Sequence, residues 1–443
     1  MPDLPRQIRL AAGDYFMHGQ DLRIRQAGMQ GNVCCAVIRL GNGLDLTRLR
    51  QRIATSPVVD WLSRARITRP FPLFPPVWRA TAKSKTIFFE HNDSNGGVDM
   101  CSLPAAVAGR ELHPKYGPGV AFDLVRHTDG TSHLYLSWNH TLLDARGLDF
   151  LLSHLNSNSE SNGAPTLQDF ISPKQTGRRE RGWWPNAQLA HRSMKWLTQS
   201  GGEPLFSLAP SKPRSGPCRN HRRIVSFTDA ETASIDTRSQ KITAGFRRSH
   251  FFLAASIRAL HTLALQRGNK DGAYLTPVPH DTRKFGAKGP IFSNHLSILF
   301  YRIEPRHAGR ISDIVGELGR QMADQIRDRF PECCIAALDM FKVLPLGYYL
   351  YHLGKPTRGK IASFSFSDSG EICPGMTELW GGQILDVTHV IPSWRPPGLT
   401  VLFLRFNNRL SIMLSWVDDC MSLANVDGFE RDLRRALLEE DLS

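Results

Sequence analysis

The stretch SWNHTLLDARG, residues 137–147, sets a histidine between two kinds of hydrophobic spacing. Ahead of it, Leu134, Leu136 and Trp138 alternate with Tyr135, Ser137 and Asn139, the period of a half-buried strand. Behind it, Leu148, Leu151, Leu152 and Leu155 fall on one helical face. Asp144 stands just ahead of that face, where an N-cap belongs. His140 therefore sits in a strand-to-helix turn, where backbone groups are uncommitted and a side chain can face a cavity. Taken alone, the periodicity favours a capping aspartate beside a polar loop histidine. The rest of the chain changes that balance.

Outward from this turn, the first half alternates strands and helices. CCAVIRL reads as a strand, LTRLRQRI as a helix, and VAFDLVRH with SHLYLSWNH as a hairpin around an Asp129–Gly130 turn. A polar Ser/Asn/Gly-rich stretch follows, then a basic segment bearing Trp183, Trp184 and Trp196. Residues 176–219 read as a connector carrying one helix, which divides the chain into a lobe at 1–175 and another at 220–443. The second half repeats the alternation and closes on a hairpin around Asn407–Asn408 and an amphipathic helix. Leu136-Ser137-Trp138 matches Leu414-Ser415-Trp416, and a polar turn and a helix follow each. This points to two similar α/β halves, of which the first carries the histidine. A cleft between them is the expected ligand site.

Composition narrows the class. The chain has 443 residues, enough for roughly two to three domains. Hydrophobic content of 41% with 22% charge is that of a globular protein rather than a disordered one. No apolar run approaches the roughly 20 residues that span a bilayer, and MPDLPRQIRLAAGDYF lacks a signal-peptide core, so a cytoplasmic location is expected. Eight cysteines include two adjacent pairs but no C-x-x-C, which argues for reduced core residues and against a metal. The net charge of +14 draws anionic partners. The clusters Arg178, Arg179, Arg181 and Arg219, Arg222, Arg223 match no nucleic-acid-binding motif, and no nucleic acid is expected. The Trp-bearing connector helix raises peripheral membrane contact, but Pro185 and polar residues interrupt its apolar face. There is no G-x-S-x-G elbow, phosphate loop or G-x-G-x-x-G fingerprint. Without a protein nucleophile in register, the neutral imidazole of His140 is suited to act directly as a base.

HTLLDARG resembles the H-x-x-x-D motif of the chloramphenicol acetyltransferase-like superfamily, which includes condensation domains, plant BAHD acyltransferases and wax-ester synthases. Asn139 replaces the usual first histidine, and Ala145 the usual glycine. TPVPHDTR at 276–283 is similar to the family's P-V-x-x-R strand end, and FSNHLS at 292–297 to its G-N-x-x-S segment, with Ser293 in place of glycine. SFSFSDSGEI followed by GGQILDV resembles its late crossover region. The plant branch's DFGWG is absent.

The resemblance implies an α/β fold of two lobes, each a mixed sheet flanked by helices, with the active-site tunnel between them. It implies an acyltransferase acting on an acyl-CoA or an acidic acyl carrier protein as thioester donor and a small alcohol or amine as acceptor, with no tightly bound cofactor. His140 takes the part of general base. Asp144, Arg283 and Gly147 support its loop, with Asp144 paired to Arg283. Asn294 and Ser297 are placed along the tunnel, and Ser367 is placed at the oxyanion. His295 and His389 are the rival histidines. A monomer is expected. The alternatives are a free-standing condensation enzyme using carrier-bound substrates, and a non-catalytic scaffold of the same fold.

Overall fold

The computed structural model describes residues 4–72, 74–82, 86–93, 100–157, 170–171, 182–200, 202, 204–211, 216–245, 248–284 and 286–439. The cluster Arg178, Arg179, Arg181 and most of the polar stretch before it lie outside the described residues.

Among the described residues there are four sheets, and the two largest carry the repeat. The first has six strands, in the order Glu378–Leu379, Gly382–Val390, Val33–Leu40, Ser132–Asn139, Val120–His127, Phe88–Asp93. The second has four, in the order Ser365–Glu371, Leu399–Phe406, Arg409–Val417, Asn220–Ser226. Their shared four-strand unit is the same. In each, a parallel edge strand precedes an antiparallel hairpin, and an earlier strand pairs with the hairpin's second arm. Trp138 and Trp416 lie on those corresponding second arms. Each arm leads through a turn into a helix, Ala145–Asn156 and Leu423–Leu438. The repeated Leu-Ser-Trp is thus the visible trace of a repeated topology.

Local chemistry accounts for the turns. Asn407 and Asn408 both have positive φ, 47° and 63°, as a two-residue hairpin with the twist of its strands requires. Gly130 has φ 83°, and Asp129 accepts the Thr131 N–H beside it. Asp45, Ser56, Thr228 and Ser422 cap their helices through side-chain oxygens.

The chain order and the sheet order part company at one place. Gly382–Val390 lies late in the sequence, yet it pairs antiparallel with Val33–Leu40 in the first sheet. A second crossing runs the other way in space. The hairpin of Tyr274–Asp281 and Leu296–Ile303 is joined by a loop that enters the first lobe. Phe292 of that loop is fully buried among Trp61, Trp78 and Phe170. Burying one such ring contributes about 1.5–3 kcal/mol. The loop can approach because two glycines leave space. A Cβ on Gly13 would stand 2.6 Å from the Asn294 carbonyl oxygen, and one on Gly147 would stand 2.3 Å from that of Ile291.

Sequence periodicity missed several helices, among them three that bear on the site. Ala12–Gln26 buries Asp14 and Asp21 along with its apolar residues, which hides its amphipathic pattern. Phe330–Phe341 and Leu346–Gly354 are apolar on most sides because they line an internal cavity.

Candidate active site

The turn after Ser132–Asn139 is held by hydrogen bonds on every side. The Trp138 indole donates to the Leu143 carbonyl at 3.0 Å. Asn139 donates to buried Asp21 at 2.9 Å and accepts the Thr141 N–H at 3.0 Å. Asn139 therefore does structural work at the position where the resembling motif has a histidine. The His140 N–H donates to the Asn32 carbonyl at 2.8 Å, and the Ser293 N–H to that of Leu142 at 2.9 Å.

Asp144 serves two ends at once. It caps the helix Ala145–Asn156 by accepting the Gly147 N–H at 2.8 Å. It also accepts both terminal nitrogens of the Arg283 guanidinium at 3.0 Å, and the His295 N–H at 2.9 Å. Burial works to raise its pKa, but the charge and hydrogen bonds of Arg283 outweigh that and hold the carboxyl below the usual carboxylate range. Arg283 further donates to the Pro290 carbonyl at 3.1 Å. The cap read from the helix pattern and the ion pair implied by the resemblance are one arrangement.

Asn294 is the contact that orients the histidine. Its side-chain nitrogen faces three acceptors: Asp14 at 3.0 Å, the His140 carbonyl at 2.9 Å and the Thr141 carbonyl at 3.2 Å. These fix which end of the amide is nitrogen. Its oxygen then faces His140 Nδ1 at 3.1 Å. An amide oxygen can only accept, so Nδ1 carries the proton and Nε2 keeps its lone pair. Burial lowers the His140 pKa. A hydrogen bond to its own backbone, the charge of Asp144 and the Asn294 contact oppose this, and the net value lies below the ordinary histidine range. His140 is therefore neutral at neutral pH.

Asp14 underlies this arrangement, and the sequence offered no signal for it beyond an acidic residue in a helix's first turn. It is fully buried and accepts from Ala11 N–H, Trp78 Nε1, Ser293 Oγ, Asn294 N–H and Asn294 Nδ2, at 2.7–3.1 Å. Ser293 has φ 82°, the region glycine favours, and its hydroxyl bond to Asp14 at 2.7 Å offsets the strain.

Among the described residues, none of the other candidates hydrogen-bonds to His140. Ser297 donates to the Pro331 carbonyl at 2.8 Å, so its hydroxyl is committed. Ser367 lies on Ser365–Glu371 and is partly exposed. His295 Nε2 lies 3.0 Å from the Phe292 carbonyl, which fixes its ring. His389 is fully buried on the crossing strand against Trp138, and burial together with the nearby His140 pushes its pKa down to about 4. Cys218, Asp418 and Asp419 are the one metal-like cluster among the described residues, and Arg395 already occupies it through Asp419 and Cys218. Among the described residues, no helix is long and apolar enough to cross a membrane.

An apolar cavity of about 140 Å³ lies within the fold, and none of residues 137–147 lines it. Its walls come from Ala12–Gln26, the connector helix Trp183–Ser200, the Tyr274–Ile303 hairpin, the helices Phe330–Phe341 and Leu346–Gly354, and residues 361–366. Met17 and Gln20 line it, and both receive contacts from the Asn32 side chain, at 3.8 and 3.3 Å. The carbonyl of that same Asn32 holds the His140 backbone.

By sequence, no family model and no curated protein matches the chain. Solved structures do match along its whole length. A trichothecene 15-O-acetyltransferase from Fusarium sporotrichioides aligns at 12% identity over 98% of this chain and 96% of its own, with a TM-score of 0.68. The first condensation domain of the CDA synthetase aligns at 14% identity over 99% and 97%, with a TM-score of 0.67. A wax ester synthase/diacylglycerol acyltransferase from Marinobacter aquaeolei VT8 aligns at 14% identity over 97% and 98%, with a TM-score of 0.57. The chain has the two-lobed α/β fold of the CoA-dependent acyltransferases and condensation domains.

Proposed function

We propose that the protein is an acyltransferase that moves an acyl group from a thioester to a hydroxyl or amine acceptor, with His140 as general base. The observation that carries this reading is the Asn294 oxygen on His140 Nδ1, which leaves Nε2 as the proton acceptor of a neutral imidazole. The whole-chain likeness to acyltransferases and condensation domains supports it.

In this reading Nε2 takes the proton of the acceptor O–H or N–H as that atom attacks the thioester carbonyl. The new C–O or C–N bond forms, and the carbonyl oxygen becomes an oxyanion. Ser367, whose hydroxyl has no hydrogen-bond partner among the described residues, is the proposed donor to it. The C–S bond then breaks, and the departing sulfur takes the proton back from Nε2. No electrons change hands, and no covalent enzyme intermediate forms. Asn294 and the Asp144–Arg283 pair position the base and touch no substrate.

The donor is acyl-coenzyme A or an acyl group on a carrier protein's phosphopantetheine, either of which suits a chain of net charge +14. The test is thiol release from a panel of acyl-CoAs and acyl-loaded carrier proteins, with pooled alcohols and amines as acceptors. Acceptor-dependent release that His140→Ala abolishes, with folding retained, is the expected result. Release unaffected by His140→Ala removes the histidine from the mechanism.

A further inference from the structure

Three residues that line the apolar cavity, Ser193, Tyr349 and His352, each carry a buried polar side-chain atom that no described residue satisfies. Tyr349 Oη and His352 Nε2 are both buried and lack a hydrogen-bond partner among the described residues. Both residues line the cavity. They stand three apart on the helix Leu346–Gly354, and side chains at that spacing share one face. Packing holds each ring in place. Tyr349 meets Tyr15 edge-on with centroids 5.0 Å apart, and His352 stacks with Phe341 at 6.4 Å and meets Tyr348 at 4.4 Å. A buried hydroxyl and a buried ring nitrogen left unpaired each cost stability, and native folds seldom retain them without a ligand or water to bind.

The surrounding wall is aliphatic and aromatic. Leu197 projects from the connector helix, with Ala337 and Phe341 on Phe330–Phe341 and Ile298 on the hairpin. Such a lining disfavours an ionised or highly hydrated guest. The cavity's polar contact with the histidine turn runs through Gln20 and Asn32.

We infer that this cavity takes the aliphatic portion of a substrate, and that Tyr349 and His352 recognise a neutral oxygen, a hydroxyl or ketone, partway along it. The inference rests on the acyl-transfer reading for the word substrate. The chain belongs either to the acyl donor or to the acceptor.

The test uses the full chain and the fluorescent fatty acid cis-parinaric acid as probe. Dodecanoic acid and a positional series of monohydroxydodecanoic acids compete for it. Saturable one-to-one probe binding is expected, and Leu197→Trp and Ala337→Trp, each confirmed folded by thermal melting, abolish it. At least one hydroxy isomer is expected to compete about tenfold better than dodecanoic acid, the size of one good buried hydrogen bond. Tyr349→Phe combined with His352→Leu erases that preference while the probe still binds. No saturable binding, or binding that survives both tryptophans, overturns the aliphatic occupant. An absent isomer preference, or one unchanged in the double variant, overturns the polar anchor. Chain-length series of acyl-CoAs at fixed acceptor, and of alcohols at fixed acetyl-CoA, assign the chain to donor or acceptor. Probe binding without thiol release from any donor leaves the cavity assignment standing and removes acyl transfer. Thiol release with no probe binding does the reverse.

Discussion

Asn294 and His140 lie 154 residues apart in sequence and meet at 3.1 Å, amide oxygen to Nδ1. A histidine of the first lobe is thus oriented by a loop of the second half. That contact favours the imidazolium, so Asn294→Ala is expected to lower the His140 pKa further. In wild type, the acid limb of kcat/KM falls below the ordinary histidine value near 6.5, because the folded-state pKa is lowered. In the variant that limb moves further down. A pH–rate profile of both proteins checks this, and an unmoved limb refutes the contact's role.

The Asp144–Arg283 pair is almost closed to solvent, with 14% and 4% of the side chains exposed. Removing the guanidinium by Arg283→Leu leaves a buried carboxylate without its counter-charge and is expected to cost about 3–5 kcal/mol. Arg283→Lys recovers only part of this, since an ammonium cannot offer two parallel donors. Urea unfolding of the three proteins ranks them.

The same pair makes stability depend on pH with a definite sign. The folded pKa of Asp144 is depressed, so its contribution is fully present above the unfolded carboxylate value of about 3.9. It is lost as pH falls through the lower folded value. The stability difference between wild type and Asp144→Asn is expected to be flat from pH 7 to about 5 and to shrink below about 4. A difference that grows on acidification contradicts the assignment.

Gly147→Ala drives a methyl against the Ile291 carbonyl oxygen, where neither backbone can yield easily. A loss of about 2–3 kcal/mol is expected. Activity falls with it, because the displaced loop carries Asn294. Chemical unfolding and thiol release, measured together, test the coupling.

Ser293 separates strain from hydrogen bonding. Ser293→Ala keeps the positive φ and removes the bond to Asp14, with an expected loss of about 1–2 kcal/mol. Ser293→Gly removes the bond but relieves the strain, so it is expected to be the milder change. Melting temperatures in the opposite order refute this account.

Much of the fold was legible because local chemistry repeats along it. Alternation marked the paired strands, Asn407–Asn408 and Asp129–Gly130 marked hairpins, and a leucine face behind Asp144 marked a capped helix. What stayed hidden is tertiary in origin. Asp14 looks like an ordinary first-turn carboxylate until the loop from 290–295 supplies its donors. Helices that face a cavity rather than solvent lose the contrast on which periodicity depends. The partner of Ser297 was equally hidden: strand alternation turns its hydroxyl to Pro331 while Leu296 and Ile298 face the cavity.

The late strand Gly382–Val390, which completes the first sheet beside Val33–Leu40, makes the two lobes mutually dependent. A fragment ending in the connector would expose the ladder edge of Val33–Leu40, while its complement would carry that edge's missing partner as an unpaired segment. Each fragment alone is thus prone to self-association through open strands. Mixed together they have the means to reassemble through that ladder, whereas a cut between Val390 and Leu399 severs the covalent link from this strand to the second sheet.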